Sequence, residues 1–232
     1  MLGLTGTIIN AAAIILAGAV GLVFRKGIPA HISRTIQDGL GMLIMAIGFQ
    51  YAFQADNLAM VGICLALGAV WGELQQWESR LESLGRKLEK VLGGDDSQFV
   101  KGFVSATLLF CVGAMAIVGS LQDGLTHNYD ILLVKSMLDG IFAMIFAASM
   151  GVGVLFSALP LLIYQGAISL GAGYIKPILT DPMLNNITAL GGVLIVGIGI
   201  NALGLMRIKV ANLLPGLFLV PIFMALSQYW PW

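Results

Sequence analysis

Long apolar runs separated by short packets of polar residues dictate what this chain can fold into. A helix that crosses a bilayer needs roughly 20 mostly apolar residues. Runs of that kind are read at Leu4–Phe24, Asp38–Ala55, Leu58–Glu73, Gly102–Leu121, Ser136–Val154, Ala158–Tyr174, Ile187–Met206 and Asn212–Tyr229. The stretch from Ser136 to Ile175 is continuously apolar and long enough for two passes, so a hairpin is placed near Ser157–Pro160, where proline cannot continue a helix. Charged residues make up 10% of the chain and hydrophobic ones 58%, against about 25% charged for a soluble domain. Water is the wrong solvent for most of this surface. The expected fold is all-α, a polytopic membrane bundle of about eight helices.

Orientation follows from the basic residues, which gather in cytoplasmic loops. With the N-terminus outside, the inner loops hold Arg25, Lys26, Arg34, Arg80, Arg86, Lys87, Lys90, Lys101, Arg207 and Lys209, and the outer side keeps Lys135 and Lys176. That 10-to-2 split uses all 12 Lys and Arg. Both termini are then outside, and Trp230 and Trp232 fall at the outer interface, where indole rings are favoured. The start, Met1 to Phe24, has no basic n-region and is followed by Arg25 and Lys26, the reverse of a cleavable signal. It reads as a retained first span. Cys64 and Cys111 lie in apolar stretches, as free thiols or a single pair, and make no disulfide framework.

The one sizeable polar segment is Gln75–Lys101. Leu74, Trp77, Leu81, Leu84, Leu88 and Val91 recur every three or four residues there, while Glu78, Arg80, Glu82, Arg86, Lys87, Glu89 and Lys90 fill the other face. An amphipathic helix ended by Gly93-Gly94 is expected, lying on the inner membrane surface or docking a partner.

A repeat organises the rest. Arg34-Thr-Ile-Gln-Asp38-Gly39 heads the second span as Lys135-Ser-Met-Leu-Asp139-Gly140 heads the fifth, and Pro215-Gly216 marks a weaker third copy. The unit is three spans long. It gives repeat one at 4–76, an interfacial segment at 75–101, repeat two at 102–175 and a partial third unit at 187–230. An odd-numbered unit reverses direction each time it recurs, so the first two copies form an inverted pair, as in many secondary transporters.

In each of the first two copies a base and an Asp spaced i, i+4 share one helix face; the third lacks the charges. Arg34/Asp38 is expected at the inner interface and Lys135/Asp139 at the outer. Both acids could be helix-head carboxylates favoured by the dipole, or they could line entrances to a pathway, as ionisable groups in spans often do. Gln122 and Asp123, where the fourth span meets the outer surface, close a turn or join the outer vestibule. Asn10, Ser157, Tyr164, Gln165, Ser169 and Asn201 are uncharged polar residues within spans and must find partners there. Gln165, beside Gly166, is the one expected to touch a substrate, with Asn201 a further pathway candidate. His31 and His127 are isolated loop residues. No P-loop, zinc spacing, nucleophile–base pair or redox motif is present, so no enzyme, cofactor or metal site is expected. Zero net charge argues against a nucleic-acid partner.

Three segments, Gly119-Ser-Leu-Gln-Asp-Gly-Leu, Leu133-Val-Lys-Ser-Met-Leu-Asp-Gly and Tyr164-Gln-Gly, resemble the YqgA/YdfK-like family of uncharacterised multi-pass bacterial membrane proteins. The resemblance covers nearly the whole chain and implies a protein of the bacterial cytoplasmic membrane. It implies no substrate. The functional expectation is a small transporter or channel for a solute or ion, working between inverted halves and as a homodimer. The alternative is a non-transporting scaffold or sensor that binds a partner through Gln75–Lys101.

Overall fold

The structure is a computed structural model that describes residues 3–25, 29–91 and 97–227. Lys26, Gly93, Gly94, Trp230 and Trp232, used above for orientation and for the end of the amphipathic segment, lie outside the described residues. Every regular element that is described is helical: α1 (Thr5–Arg25), α2 (Ala30–Ala52), α3 (Leu58–Gln75), α4 (Trp77–Val91), α5 (Ser97–Cys111), α6 (Ala114–Thr126), α7 (Asp130–Met150), α8 (Gly153–Phe156), α9 (Ala158–Leu170), α10 (Ala172–Ile175), α11 (Asp181–Ala202) and α12 (Pro215–Ser227), with a 3-10 turn at Val210–Leu213. Among the described residues, five helical stretches are long and apolar enough to cross a membrane: α1, α3, α7, Gly153–Leu170 and α11. A sixth is added if α5 and α6, bent by 62°, count as one. The large apolar side chains that face outward fit a lipid solvent, among them Leu16, Val23, Leu58, Met137 and Ile163.

Several helices start ahead of the apolar runs that announce them. α2 begins at Ala30 rather than near Asp38, and α7 at Asp130 rather than Ser136. Polar residues such as Arg34, Gln37 and Lys135 are sound helix formers, so the backbone closes its ladder before hydropathy rises. The break after α7 also moves. It falls at Gly151, whose φ of 88° suits glycine, and Pro160 sits in the first turn of α9, where its missing N–H costs nothing.

The chain divides into two compact units. Unit 1 comprises Met1–Gly39, Glu82–Cys111 and Met115–Lys176. Its spine is the parallel pair α1 and α7. Gly6 lies against Leu132, and Gly21 is so close to Met144 that a Cβ there would stand 2.0 Å from the Met144 carbonyl oxygen. Small residues permit such backbone approach between spans. α6 and α9 run the other way, and their ends meet the start of α1 and α7: Gly124 lies on Ser169, and Gly119 on Leu132. α5 packs Gly102 on Met150, and Phe99 meets Phe156 with ring centroids 5.6 Å apart.

Unit 2 comprises Leu40–Leu81, Val112–Ala114 and Pro177–Trp232. Its part of α2 lies antiparallel to α11, Gly41 meeting Gly199 and Gly48 meeting Gly192. α3 lies antiparallel to α12, Gly68 meeting Gly216.

Candidate functional site

Four helices of unit 1 turn polar side chains toward one another where hydrocarbon would be expected. α1 supplies Thr7 and Asn10, α6 supplies Ser120 and Asp123, α7 supplies Lys135, Ser136 and Asp139, and α9 supplies Gln165 and Ser169. All nine are buried. Placement follows from the seams already described: glycines let α1, α6, α7 and α9 approach, and polar residues stand next to them in sequence, Thr7 beside Gly6, Ser120 beside Gly119, Asp123 beside Gly124 and Gln165 beside Gly166.

The deepest group is an ionic one. The Lys135 ammonium donates to the Asp139 carboxylate from one turn away on α7, and the Asn10 Nδ2 of α1 donates to the same oxygen, Oδ2, at 2.9 Å. Asp139 is the tenth residue of α7, about 14 Å along the axis at ~1.5 Å per residue. The pair expected at the outer interface therefore lies well inside its helix, because that helix starts at Asp130. Charges buried together cost desolvation that only pairing and further hydrogen bonds offset, and Asn10 provides one. Ser136 uses its own hydroxyl locally, donating to the Leu132 carbonyl at 2.6 Å.

Asp123 forms the upper end. Its Oδ2 accepts the Gly6 N–H of the first turn of α1 at 2.8 Å, so a carboxylate from α6 caps the positive end of another helix. Its Oδ1 is buried and has no hydrogen bond. Beside it, the Ser169 hydroxyl donates to the Ser120 carbonyl at 2.9 Å and ties α9 to α6. Gln165 lies one turn earlier on the same face as Ser169 and is fully buried, with neither its Oε1 nor its Nε2 hydrogen-bonded. The Thr7 hydroxyl, the Asn10 Oδ1, the Ser120 hydroxyl and the Gln122 Oε1 are likewise buried and open. Buried polar atoms nearly always have a partner, and a cluster without one points to water or an ion between them. A groove between α1 and α9 reaches Thr7 and Gly166.

Beyond Asp139 the packing turns apolar. Ile14, Phe146, Met150, Val154 and Leu161 are each at most 1% exposed, so the polar column is closed on that side.

The other sequence candidates are placed differently. Arg34 and Asp38 are exposed, and no ion pair joins them. Asn201 closes the turn after α11: its Nδ2 donates to the Ile208 carbonyl and its Oδ1 accepts the Ile208 N–H, both at 2.7 Å. The structure brings Asp139, Lys135, Gln165 and Asp123 into one unit's core and leaves Arg34, Asp38 and Asn201 out of it. Thr7 was missed by sequence reasoning. Its signal was position: Gly6/Thr7, Asn10, Ile14, Gly18 and Gly21 form one stripe of α1 at helical spacing, and the polar members share it with the glycines.

Unit 2 has its own polar cluster, at the corner between α3 and α4, where Gln76 adopts a left-handed turn with φ 53°. Glu73 pairs with Lys209 at 2.6 Å and accepts the Asn212 Nδ2 at 2.6 Å. Asn212 Oδ1 accepts the Glu78 N–H at 2.7 Å, and Glu78 accepts the Ala211 N–H at 2.8 Å. These contacts lock a corner.

Comparison with known proteins names a family and no activity. The family described as "Protein of unknown function (DUF554)" matches residues 5–225. "Uncharacterized membrane protein YdfK" of Bacillus subtilis (strain 168) is 32% identical over 221 residues, 94% of each chain. "Uncharacterized protein YqgA" of Escherichia coli (strain K12) is 31% identical over 230 residues, 97% of each. No solved structure matches. The likeness runs over nearly the whole length of all three chains, and the protein belongs to the DUF554 family.

Proposed function

We propose that this protein is a small transporter or channel of the bacterial cytoplasmic membrane, passing a small solute or ion along the polar column of unit 1. The observation that carries the reading is the Lys135–Asp139–Asn10 group, buried within helices long enough to span a bilayer and continued toward Asp123 by polar atoms that lack partners. An ionisable pair inside spans is costly and marks a substrate or ion route by default. The broken span α5–α6 supports it, since interrupted helices are a recurrent way to place backbone polar groups at depth.

The reading includes eight crossings (α1, α2, α3, α5–α6, α7, α8–α9, α11 and α12), both termini outside, inverted three-span repeats and a homodimer. Parallel packing of α1 and α7 supports that count, because the first and fifth members of such a series run the same way.

Reconstitution into liposomes with a flux screen over ions and small metabolites tests it. A flux that Asp139→Asn abolishes is expected. Absence of flux for every solute in folded wild-type protein would overturn the reading. The competing role, a scaffold or sensor, draws on the exposed Leu74, Leu84 and Val91 around α4, and deletion of α4 that spared flux but released a bound partner would favour it.

A further inference from the structure

Resting on that reading, we infer that the upper part of the column is a binding site for one monovalent alkali cation, held between α1, α6 and α9 by Asp123 Oδ1 with the oxygens of Ser120, Thr7 and Gln165. Asn10 Oδ1 is the next oxygen, one turn deeper on the way to the Lys135–Asp139 pair.

Charge comes first. Two aspartates and one lysine lie in the column. Lys135 and Asp139 cancel each other through a direct ion pair. Asp123 has no such partner: one oxygen takes the Gly6 N–H at the head of α1 and the other is open, while the side chain is fully buried. The helix end offers roughly half a unit of positive charge, which leaves the site negative by about half a charge or more. A buried carboxylate left so is far from its lowest free energy; a proton or a single cation supplies the balance, and the open oxygens around Oδ1 favour the cation.

Chemistry comes second. Asn10 must turn its amide nitrogen toward the Asp139 carboxylate, which can only accept, so its carbonyl oxygen faces away. Thr7, Ser120 and Gln165 add hydroxyl and amide oxygens, and Asp123 adds a carboxylate oxygen, all of them open. Hard oxygen donors with little thiolate or imidazole are the ligands of hard cations. A divalent ion would turn the local balance positive, and among the described residues no group of three His, Cys, Asp or Glu stands ready for one. Monovalent ions with flexible oxygen shells fit.

The placement is bounded by contacts. Gly6 N to Asp123 brings α6 to the first turn of α1, and Ser169 Oγ to the Ser120 carbonyl brings α9 to α6. Gln165 is one turn from Ser169, and Ser120 and Thr7 are within a turn of the Asp123–Gly6 contact. Below, the fully packed Phe146, Leu161 and Ile14 close the way, so an ion arriving from the Asp123 end stops in the column until the helices rearrange.

Binding of radioactive sodium to the purified full-length protein in detergent tests this without any flux, with unlabelled sodium, potassium and choline as competitors at constant ionic strength. Saturable binding of one ion per chain is expected, displaced by sodium or potassium and not by choline. Asp123→Asn should weaken it at least about tenfold and Gln165→Leu by a smaller factor. Should Asp123→Asn fail to fold, Gln165→Leu and Ser120→Ala carry the test. A parallel thermal melt should rise by roughly 2–4 °C with sodium over choline in wild type and stay flat in Asp123→Asn. No saturable binding by folded wild-type protein overturns the inference, as does binding unchanged in all three variants, or stabilisation by acid alone that ignores both alkali ions. Binding without flux would instead leave the cation site standing and count against transport.

Discussion

The two units handle buried polarity in opposite ways. Among the described residues of unit 2, no buried side-chain polar atom lacks a hydrogen bond: Asn201 satisfies both ends of a turn, Asn186 accepts the Asn57 N–H at 3.0 Å, and Asn212 serves Glu73 and Glu78 at once. Unit 1 leaves Thr7, Asn10, Ser120, Asp123 and Gln165 with open atoms although each is at most 1% exposed. Both units use the same glycine-seamed packing in the same solvent. Structural polar residues in spans are expected to be closed upon one another, so unit 2 shows what polarity looks like when it only holds helices together. The open atoms of unit 1 are what the proposed route rests on.

Substitutions can break or sharpen that contrast. The largest effect belongs to Asp139→Leu, which strands the Lys135 ammonium in an apolar core. Loss of about 3–5 kcal/mol is expected from the shift of a denaturation curve in detergent. The double change Lys135→Met with Asp139→Leu should recover most of that stability while flux stays abolished. Equal instability of single and double variants would mean that the pair is not the buried ion pair described. Next comes Asn212→Leu in unit 2, which removes the acceptor of the Glu78 N–H and the donor to Glu73. A loss of about 1–3 kcal/mol is expected on the same curve, with flux per folded molecule unchanged. Smallest is Ser120→Ala, whose hydroxyl makes no bond in the structure. Its stability should stay within about 0.5 kcal/mol of wild type, while solute or ion affinity falls. A Ser120→Ala variant that unfolded would show that its hydroxyl is structural after all.

What was legible in the sequence were the features that are local. Composition and run length gave helices in a bilayer, and i, i+4 spacing put Lys135 and Asp139 on one face. Gln165 stood out because an amide in an apolar run needs a partner. The difference between the two Asp-Gly heads was not legible. Asp38 and Asp139 sit in similarly patterned strings, each a base, three residues and Asp-Gly, yet one is exposed and the other buried. What separates them is Asn10, 129 residues from Asp139 in sequence, and Gly140 lying on Ala13 and Ala17 of α1 where Gly39 has open space. Helix starts were misjudged for a related reason: hydropathy reports where side chains want lipid, whereas the backbone ladder begins with polar residues such as Lys135 whose partners come from elsewhere in the fold.

Cysteine accessibility tests most directly whether the polar column of unit 1 is a route that water-soluble molecules enter. With Cys64 and Cys111 replaced by alanine, Thr7→Cys, Gln165→Cys, Ile14→Cys and Phe146→Cys are each exposed to a small charged thiol reagent in intact membranes. Modification of the first two at rates at least about tenfold above the last two is the expected result. Uniform resistance of Thr7→Cys and Gln165→Cys in folded protein would contradict it and reduce the column to packing.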